Sequence, residues 1–222
     1  MAEVLFLDRA DRGGMTSEFQ TFFAAAMRRP GVIGAVAPSS PGLADLLAAI
    51  TPTTGSPMVV ELGPGTGSVT AAIQRRLPAT GRHIAVEIDQ AMIDFLAAAH
   101  PGVDVVHGDA ANLTDLGVRA DAVVSGLPWS LFQPELQRRI LDQVAAILTP
   151  DGAFTTFAYR HAGALAGARS FHRLLHAVFD EVIISHTIWR NMPPARIYVC
   201  RRPLAVQTFD GLAAKTRGVG RD

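Results

Sequence analysis

The sequence predicts an α/β fold: a seven-stranded, mostly parallel sheet with helices on both faces, the last strand antiparallel, and a helical extension ahead of it. Three observations carry this. From residue 58 onward, short apolar runs rich in Val and Ile alternate with stretches of helical periodicity, as in parallel strands joined by crossover helices. The run Met58-Val59-Val60 passes directly into Glu61-Leu62-Gly63-Pro64-Gly65-Thr66-Gly67, a glycine-rich turn at a strand end. The last two apolar runs are joined only by Arg190 to Pro194, too short for a parallel crossover, so the final strand must run antiparallel.

The elements follow in order. Met15 to Arg29 and Pro41 to Ile50 read as helices, separated by the Pro30-Gly31 turn and a stretch to Ser40. Residues 58–62 form a strand, 67–77 a helix, 82–88 a strand, 90–99 a helix, and 103–107 and 121–125 two further strands. The helix Pro134 to Leu148 opens with proline in its first turn and stops before Thr149-Pro150-Asp151-Gly152. Strand 153–159, helix 167–179, and strands 181–189 and 195–201 complete the series. The domain plan is therefore an extension over 1–50, a catalytic-type α/β domain over 51–203, and a tail over 204–222.

Composition narrows the partners. The 222 residues are 49% hydrophobic, enough for one domain with a sizeable core. Twenty basic and twenty acidic side chains cancel, which argues against bulk nucleic acid as a partner. A single cysteine, Cys200, allows neither an internal disulfide nor a cysteine-based zinc site, so no metal is expected and a reducing, cytoplasmic setting is. Met1 to Leu7 lacks the basic start and cleavage site of a signal peptide, and no run reaches the length of a membrane span, so any membrane contact is peripheral.

The glycine-rich turn begins with a carboxylate, which repels a pyrophosphate and welcomes a cation. Glu61, Gly63, Gly65, Thr66 and Gly67 are the candidate loop residues. The next strand delivers Glu87 and Ile88, then Asp89, roughly twenty residues beyond the glycines, where an acid takes both hydroxyls of a ribose. Asp109 and Ala110 end the third strand, where the carboxylate can accept from an adenine amine. A cation, a ribose and an adenine together are S-adenosylmethionine. At these positions, across Met58 to Cys200, the chain resembles the class I S-adenosylmethionine-dependent methyltransferases. The resemblance implies a Rossmann-like methyltransferase sheet and S-adenosylhomocysteine as product.

Ser125-Gly126-Leu127-Pro128-Trp129 follows the fourth strand, at the carboxyl end of the sheet where ligands meet. It is similar to the Asn-Leu-Pro-Tyr loop of amino-methylating enzymes, with Gly126 in the asparagine's place. Backbone carbonyls at Gly126 and Leu127 can still orient an amine, Ser125 lies beside the cofactor, and Trp129 offers a π-face to a cation or packs as a core ring. With Gly34 to Pro41, Phe157-Ala158-Tyr159 and Ile188 to Ala195, this loop resembles the bacterial phosphatidylethanolamine N-methyltransferases, from about Phe19 to Cys200. That resemblance implies methylation of phosphatidylethanolamine toward phosphatidylcholine by a protein bound to the inner face of the membrane. The residues expected at the phospholipid are Ser39, Ser40, Pro128, Trp129, Arg190 and Asn191, the last two on a phosphodiester.

The acceptor amine must be neutral. With lysine's pKa of about 10.4 as a guide, deprotonation at pH 7 costs roughly 4.6 kcal/mol. An apolar pocket beside the sulfonium lowers that cost, and Tyr159, ending the fifth strand, is placed to bind the amine or relay its proton. His161 is the reserve candidate. Met15, Phe19, Phe22, Phe23, Ala26 and Met27 share a helix face, with Arg28 and Arg29 at its end. This pattern serves core packing or a membrane interface equally. The alternatives to a lipid enzyme are a ribosomal RNA adenine N6-methyltransferase, a small-molecule methyltransferase, and a cofactor-binding protein without catalysis. The glycine at 126, the neutral charge and the short stretch after Cys200 stand against the first.

Overall fold

A computed structural model describes residues 5–6 and 40–204. The expected helix at Met15 to Arg29, with Phe19, Phe22, Phe23, Arg28 and Arg29, lies outside the described residues, as do Ser39 and the tail beyond 204.

The sheet contains the seven expected strands and one short addition. In chain order they are β1 (Leu5–Phe6), β2 (Met58–Leu62), β3 (Arg82–Glu87), β4 (Asp104–His107), β5 (Ala120–Ser125), β6 (Leu148–Tyr159), β7 (Phe179–Ile184) and β8 (Ala195–Pro203). Their order across the sheet is β1-β4-β3-β2-β5-β6-β8-β7. β8 is antiparallel to both neighbours, as the short connection requires, and the other pairings are parallel. β1 is the addition: two residues pairing in parallel with Val106 and His107 at the sheet edge.

The helices are α1 (Pro41–Leu47), α2 (Ser68–Arg76), α3 (Gln90–Ala99), α4 (Pro134–Ile147) and α5 (Ala166–Val178). Three of the five starts have a local cause. Ser40 Oγ accepts from Leu43 N at 3.3 Å with proline behind it, Asp89 accepts from Ala91 and Met92 N, and Pro134 opens α4. Side chains alternate across the strands, so β2 sends Val59 to α1 and α2 and Val60 to α4 and α5. One core layer joins Leu43, Leu47 and Ile73 to Val59, Phe157 and Tyr159. The other holds Trp129, Phe154, Phe171 and Phe179 with Leu141 and Val144 of α4.

Three local departures have physical reasons. Ala110–Leu116 forms a 3-10 turn where the sequence shows no helical period, because Asp109 caps it on Ala111 N at 2.8 Å and Gly117 ends it at φ 64°. β7 stops at Ile184, not 189, because Ser185 Oγ takes the Ile197 N–H at 2.9 Å that a longer ladder would use. β6 starts at Leu148, five residues ahead of the expected 153, through a register shift opposite Ala120 and Ala122.

Candidate active site

The carboxyl ends of β2, β3, β4, β5 and β6 bring together most of the expected site. Gly63 N donates to Val86 O at 3.0 Å and Gly126 N to Leu62 O at 2.8 Å, so the loops after β2, β3 and β5 are tied edge to edge. The glycines serve this tie. Gly63, Gly65 and Gly67 sit at φ 64°, 55° and 82°, conformations that cost a side chain dearly. A Cβ on Gly63 would meet Leu127 Cδ2 at 2.8 Å, and one on Gly67 would meet His100 Nε2 at 2.5 Å. The bare backbone at these two therefore admits neighbouring protein.

Glu87 is the best-built polar group. It is buried, with Oε1 accepting from Ile88 N at 2.8 Å and Asp89 N at 3.1 Å, and Oε2 accepting from Gly65 N at 3.3 Å. Burial raises its pKa, opposed by the same three backbone N–H groups. Its carboxylate thus bridges β3 to the glycine loop, and each oxygen keeps capacity for a further donor such as a ribose hydroxyl. Asp109, half-buried one strand away, uses Oδ1 on its own turn. Together with the left-handed glycine turn, these acids fit the charge and hydroxyl pattern of S-adenosylmethionine.

Glu61 requires a correction. Its side chain points inward and is fully buried; Oε2 accepts from Thr70 Oγ1 at 2.8 Å and lies 3.1 Å from His83 Nε2. His83 Nδ1 is 3.0 Å from Gln74 Nε2, and because the amide nitrogen only donates, Nδ1 accepts. Nε2 then carries the ring proton, close to Glu61 Oε2 but without a hydrogen bond to it. Oε1 has no hydrogen-bond partner among the described residues. The acid is therefore a strut beneath the loop and α2, not a direct counter-charge for the ligand. Thr70, Gln74 and His83 were not singled out from the sequence; their only signal is a polar residue on an otherwise apolar face.

The proline loop brings a second correction. Trp129 is 2% exposed, stacks on Phe171 at 4.4 Å and 18°, and meets Phe154 edge-on at 6.1 Å. Its Nε1–H donates to Ser125 Oγ at 3.1 Å, and the same oxygen accepts from Leu127 N at 3.3 Å. The indole is a core ring, not a face offered to an amine, and Ser125 is its anchor. Gln137, fully buried on α4, secures the loop from behind: its Nε2 reaches Trp129 O at 2.7 Å, Phe132 O at 3.2 Å and Gly167 O at 2.9 Å. Pro128 precedes the short 3-10 turn Trp129–Leu131.

Gly126 is glycine for a steric reason. A Cβ there would meet Gly63 O at 2.6 Å, so the asparagine of the similar loop has no room on this backbone. Gly126→Ala is expected to lower stability by about 1–3 kcal/mol through overpacking and to weaken cofactor binding, since the displaced carbonyl belongs to the glycine loop. Denaturant unfolding with cofactor titration checks both; an unchanged midpoint would show that the loops part freely.

The phosphodiester assignment fails for Asn191. It is 2% exposed, Oδ1 accepts from Ser40 N at 3.1 Å, and Nδ2 donates to Pro193 O at 2.7 Å. Asn191 and Ser40 are thus a buried tie between α1 and the β7–β8 connection, with Ser40 also the α1 cap. Arg190 is exposed. Tyr159 is 9% exposed at the end of β6, edge-on to Phe157 at 5.1 Å and stacked with His161 at 5.7 Å. Burial raises its pKa above the ordinary 10.0, so it is a neutral phenol at pH 7 and not a phenolate base. Burial also pushes the Cys200 thiol up to about 12, which removes it as a nucleophile.

Residues 59–152 match the methyltransferase domain family. Over 192 residues the chain is 34% identical to ornithine lipid N-methyltransferase of Singulisphaera acidiphila, covering 83% of this chain and 96% of that protein. It is 34% identical over 110 residues to a probable ribosomal RNA small subunit methyltransferase A of Pyrobaculum aerophilum, covering 49% of this chain and 45% of the relative. Among solved structures it is similar to the O-methyltransferase TomG of Streptomyces achromogenes, at TM-score 0.59 and 18% identity over 88% of this chain and 92% of the other.

Proposed function

Since this chain belongs to the class I S-adenosylmethionine-dependent methyltransferases, we propose that it transfers the methyl group to the amine of a membrane amino-lipid. One observation carries the reading: the likeness to a lipid N-methyltransferase runs through 83% of the chain and nearly all of that relative. The ribosomal RNA likeness is confined to about half of the chain and less than half of that relative. The acceptor lipid is phosphatidylethanolamine, with its mono- and dimethyl forms, or ornithine lipid. Both present a primary amine at a bilayer surface.

S-adenosylmethionine, when bound, supplies an electrophilic methyl on a sulfonium. The residues divide the remaining work. Glu87 holds the ribose hydroxyls, and Asp109 with Ala110 flanks the base. The loop of Gly63, Gly65, Thr66 and Gly67 lays its backbone against the amino-acid portion. Gly126 presents its carbonyl toward the reaction centre, Leu127 O being held within the loop by Trp129 N at 3.0 Å, and Tyr159 receives the amine. A neutral phenol oxygen accepts a hydrogen bond from a neutral amine N–H, which fixes the lone pair toward the methyl. The apolar walls of Phe157 and the α1 layer disfavour the ammonium form. No helix among the described residues is long and apolar enough to cross a membrane, and access to the lipid is proposed to be peripheral.

Tyr159→Phe is expected to lower turnover by roughly 10- to 100-fold with little change in cofactor affinity, the loss of one positioning hydrogen bond. Turnover in the wild type should rise with pH across the neutral range as the acceptor amine loses its proton. Incubation of the protein with labelled cofactor and vesicles containing phosphatidylethanolamine, ornithine lipid or neither, with ribosomal RNA as a separate arm, tests the whole reading. Label in resolved lipid products is the expected result; label in RNA alone overturns it.

A further inference from the structure

We propose that the tip of the β7–β8 connection, Trp189 to Met192 with Arg160 beside it, is a lipid-interface anchor that seats the catalytic face on an anionic bilayer surface. The inference rests on the lipid reading above. Trp189 is 64% exposed and Met192 80% exposed, the two most exposed large hydrophobic side chains among the described residues. Single exposed apolar residues are ordinary, but these two stand on one short connection with cations around them. The Arg160 guanidinium lies 4.9 Å from the Trp189 ring centroid, and Arg190, between the two, is exposed.

The composition of the tip suits one occupant. An indole settles at the boundary of hydrocarbon and headgroup because one end is apolar and the N–H is polar. Guanidinium groups beside it are drawn to an anionic leaflet, each worth about 1 kcal/mol near the surface. The tip is also rigid. Asn191 points inward onto Ser40 N and Pro193 O, Ile188 bridges to Ala195, and Arg160 N donates to Pro194 O at 2.8 Å. Trp189 and Met192 are therefore presented outward by a fixed backbone, so little ordering entropy is lost on insertion.

Position connects the tip to the chemistry. Arg160 directly follows Tyr159, and Tyr159 pairs with Ala195 at the base of the connection. A bilayer contacted by Trp189 and Met192 thus lies against the end of β6 where the amine has to arrive. Arg190, expected from sequence to grip one phosphodiester, acts instead on the surface potential.

The protein's two tryptophans make the test direct, because Trp129 is 2% exposed in the core and Trp189 is not. Intrinsic fluorescence is measured with vesicles of phosphatidylglycerol and phosphatidylcholine carrying bromine on their acyl chains, alongside co-sedimentation and cofactor binding. Wild-type emission should be quenched, and Trp189→Ala should abolish the quenching while binding cofactor normally. The double variant W189A/M192A should lose on the order of tenfold in vesicle affinity, and R160A/R190A should lose the preference for anionic vesicles. Co-sedimentation without quenching, or no co-sedimentation, overturns the anchor. Methylation of a dispersed short-chain amino-lipid judges the lipid reading separately: product there without vesicle binding sinks the anchor alone, and no product from any lipid sinks the lipid reading.

Discussion

Trp129→Ala should cost about 3–5 kcal/mol of folding stability. The ring is sandwiched with Phe171, abuts Phe132 and Phe154, and holds Ser125 through its N–H. Truncation leaves a cavity between α5 and the sheet and frees the hydroxyl that also receives Leu127 N. Neither α4 nor α5 can collapse into the space easily, because Gln137 pins the loop to both. Trp129→Phe should cost less, keeping most of the packing and losing the indole N–H. Urea unfolding at fixed protein concentration is the measurement. If the alanine variant keeps the wild-type midpoint and loses only turnover, the ring belongs to the acceptor pocket and the core assignment is wrong.

Glu87→Ala should weaken S-adenosylmethionine binding by at least about 3 kcal/mol, more than 100-fold, as two hydrogen bonds to a charged acceptor are lost. The variant also releases Gly65 N, Ile88 N and Asp89 N from their shared acceptor, loosening the loop that receives the ligand. Isothermal titration with cofactor and with S-adenosylhomocysteine reads the loss; unchanged affinity would move the ribose to another acid. The raised pKa adds a pH signature of opposite signs. The folded state binds the Glu87 proton more tightly than the unfolded chain, so the group's contribution to stability falls as pH rises upward from 4.5. Cofactor affinity should climb over the same window, because the ionised carboxylate is the stronger acceptor.

The fold was legible because parallel strands buried on both faces read as apolar runs, and β2 through β5 each carry one. The antiparallel end followed from connection length alone. Positions of the acids were legible too, since a strand end fixes where its next residue emerges. What each side chain touches was not. Glu61 and Glu87 are both acids at strand ends, yet one turns under the loop to Thr70 and His83 and the other across it to Gly65; the difference lies in strand pleat and register, which spacing does not encode. Trp129 and Asn191 were misassigned for the same reason: an aromatic after proline and an amide beside arginine have the chemistry of a binding site whether they point out or in. Gly126 was read as a missing asparagine, when its neighbour Gly63 already leaves no room for one.

The interior place of β8 also bears on how the chain is made. β8 is the last described strand to leave the ribosome, yet it lies between β6 and β7. Until it arrives, both of those strands expose unpaired edges, and Ile183 and Ile184 on β7 stay 48% and 40% exposed even in the finished sheet. A nascent chain halted before Ala195 therefore carries an open slot that accepts any extended segment, including the same slot on a neighbouring polysome. Closing it is a late, long-range step, and chaperone occupancy during synthesis should be greatest just before that closure.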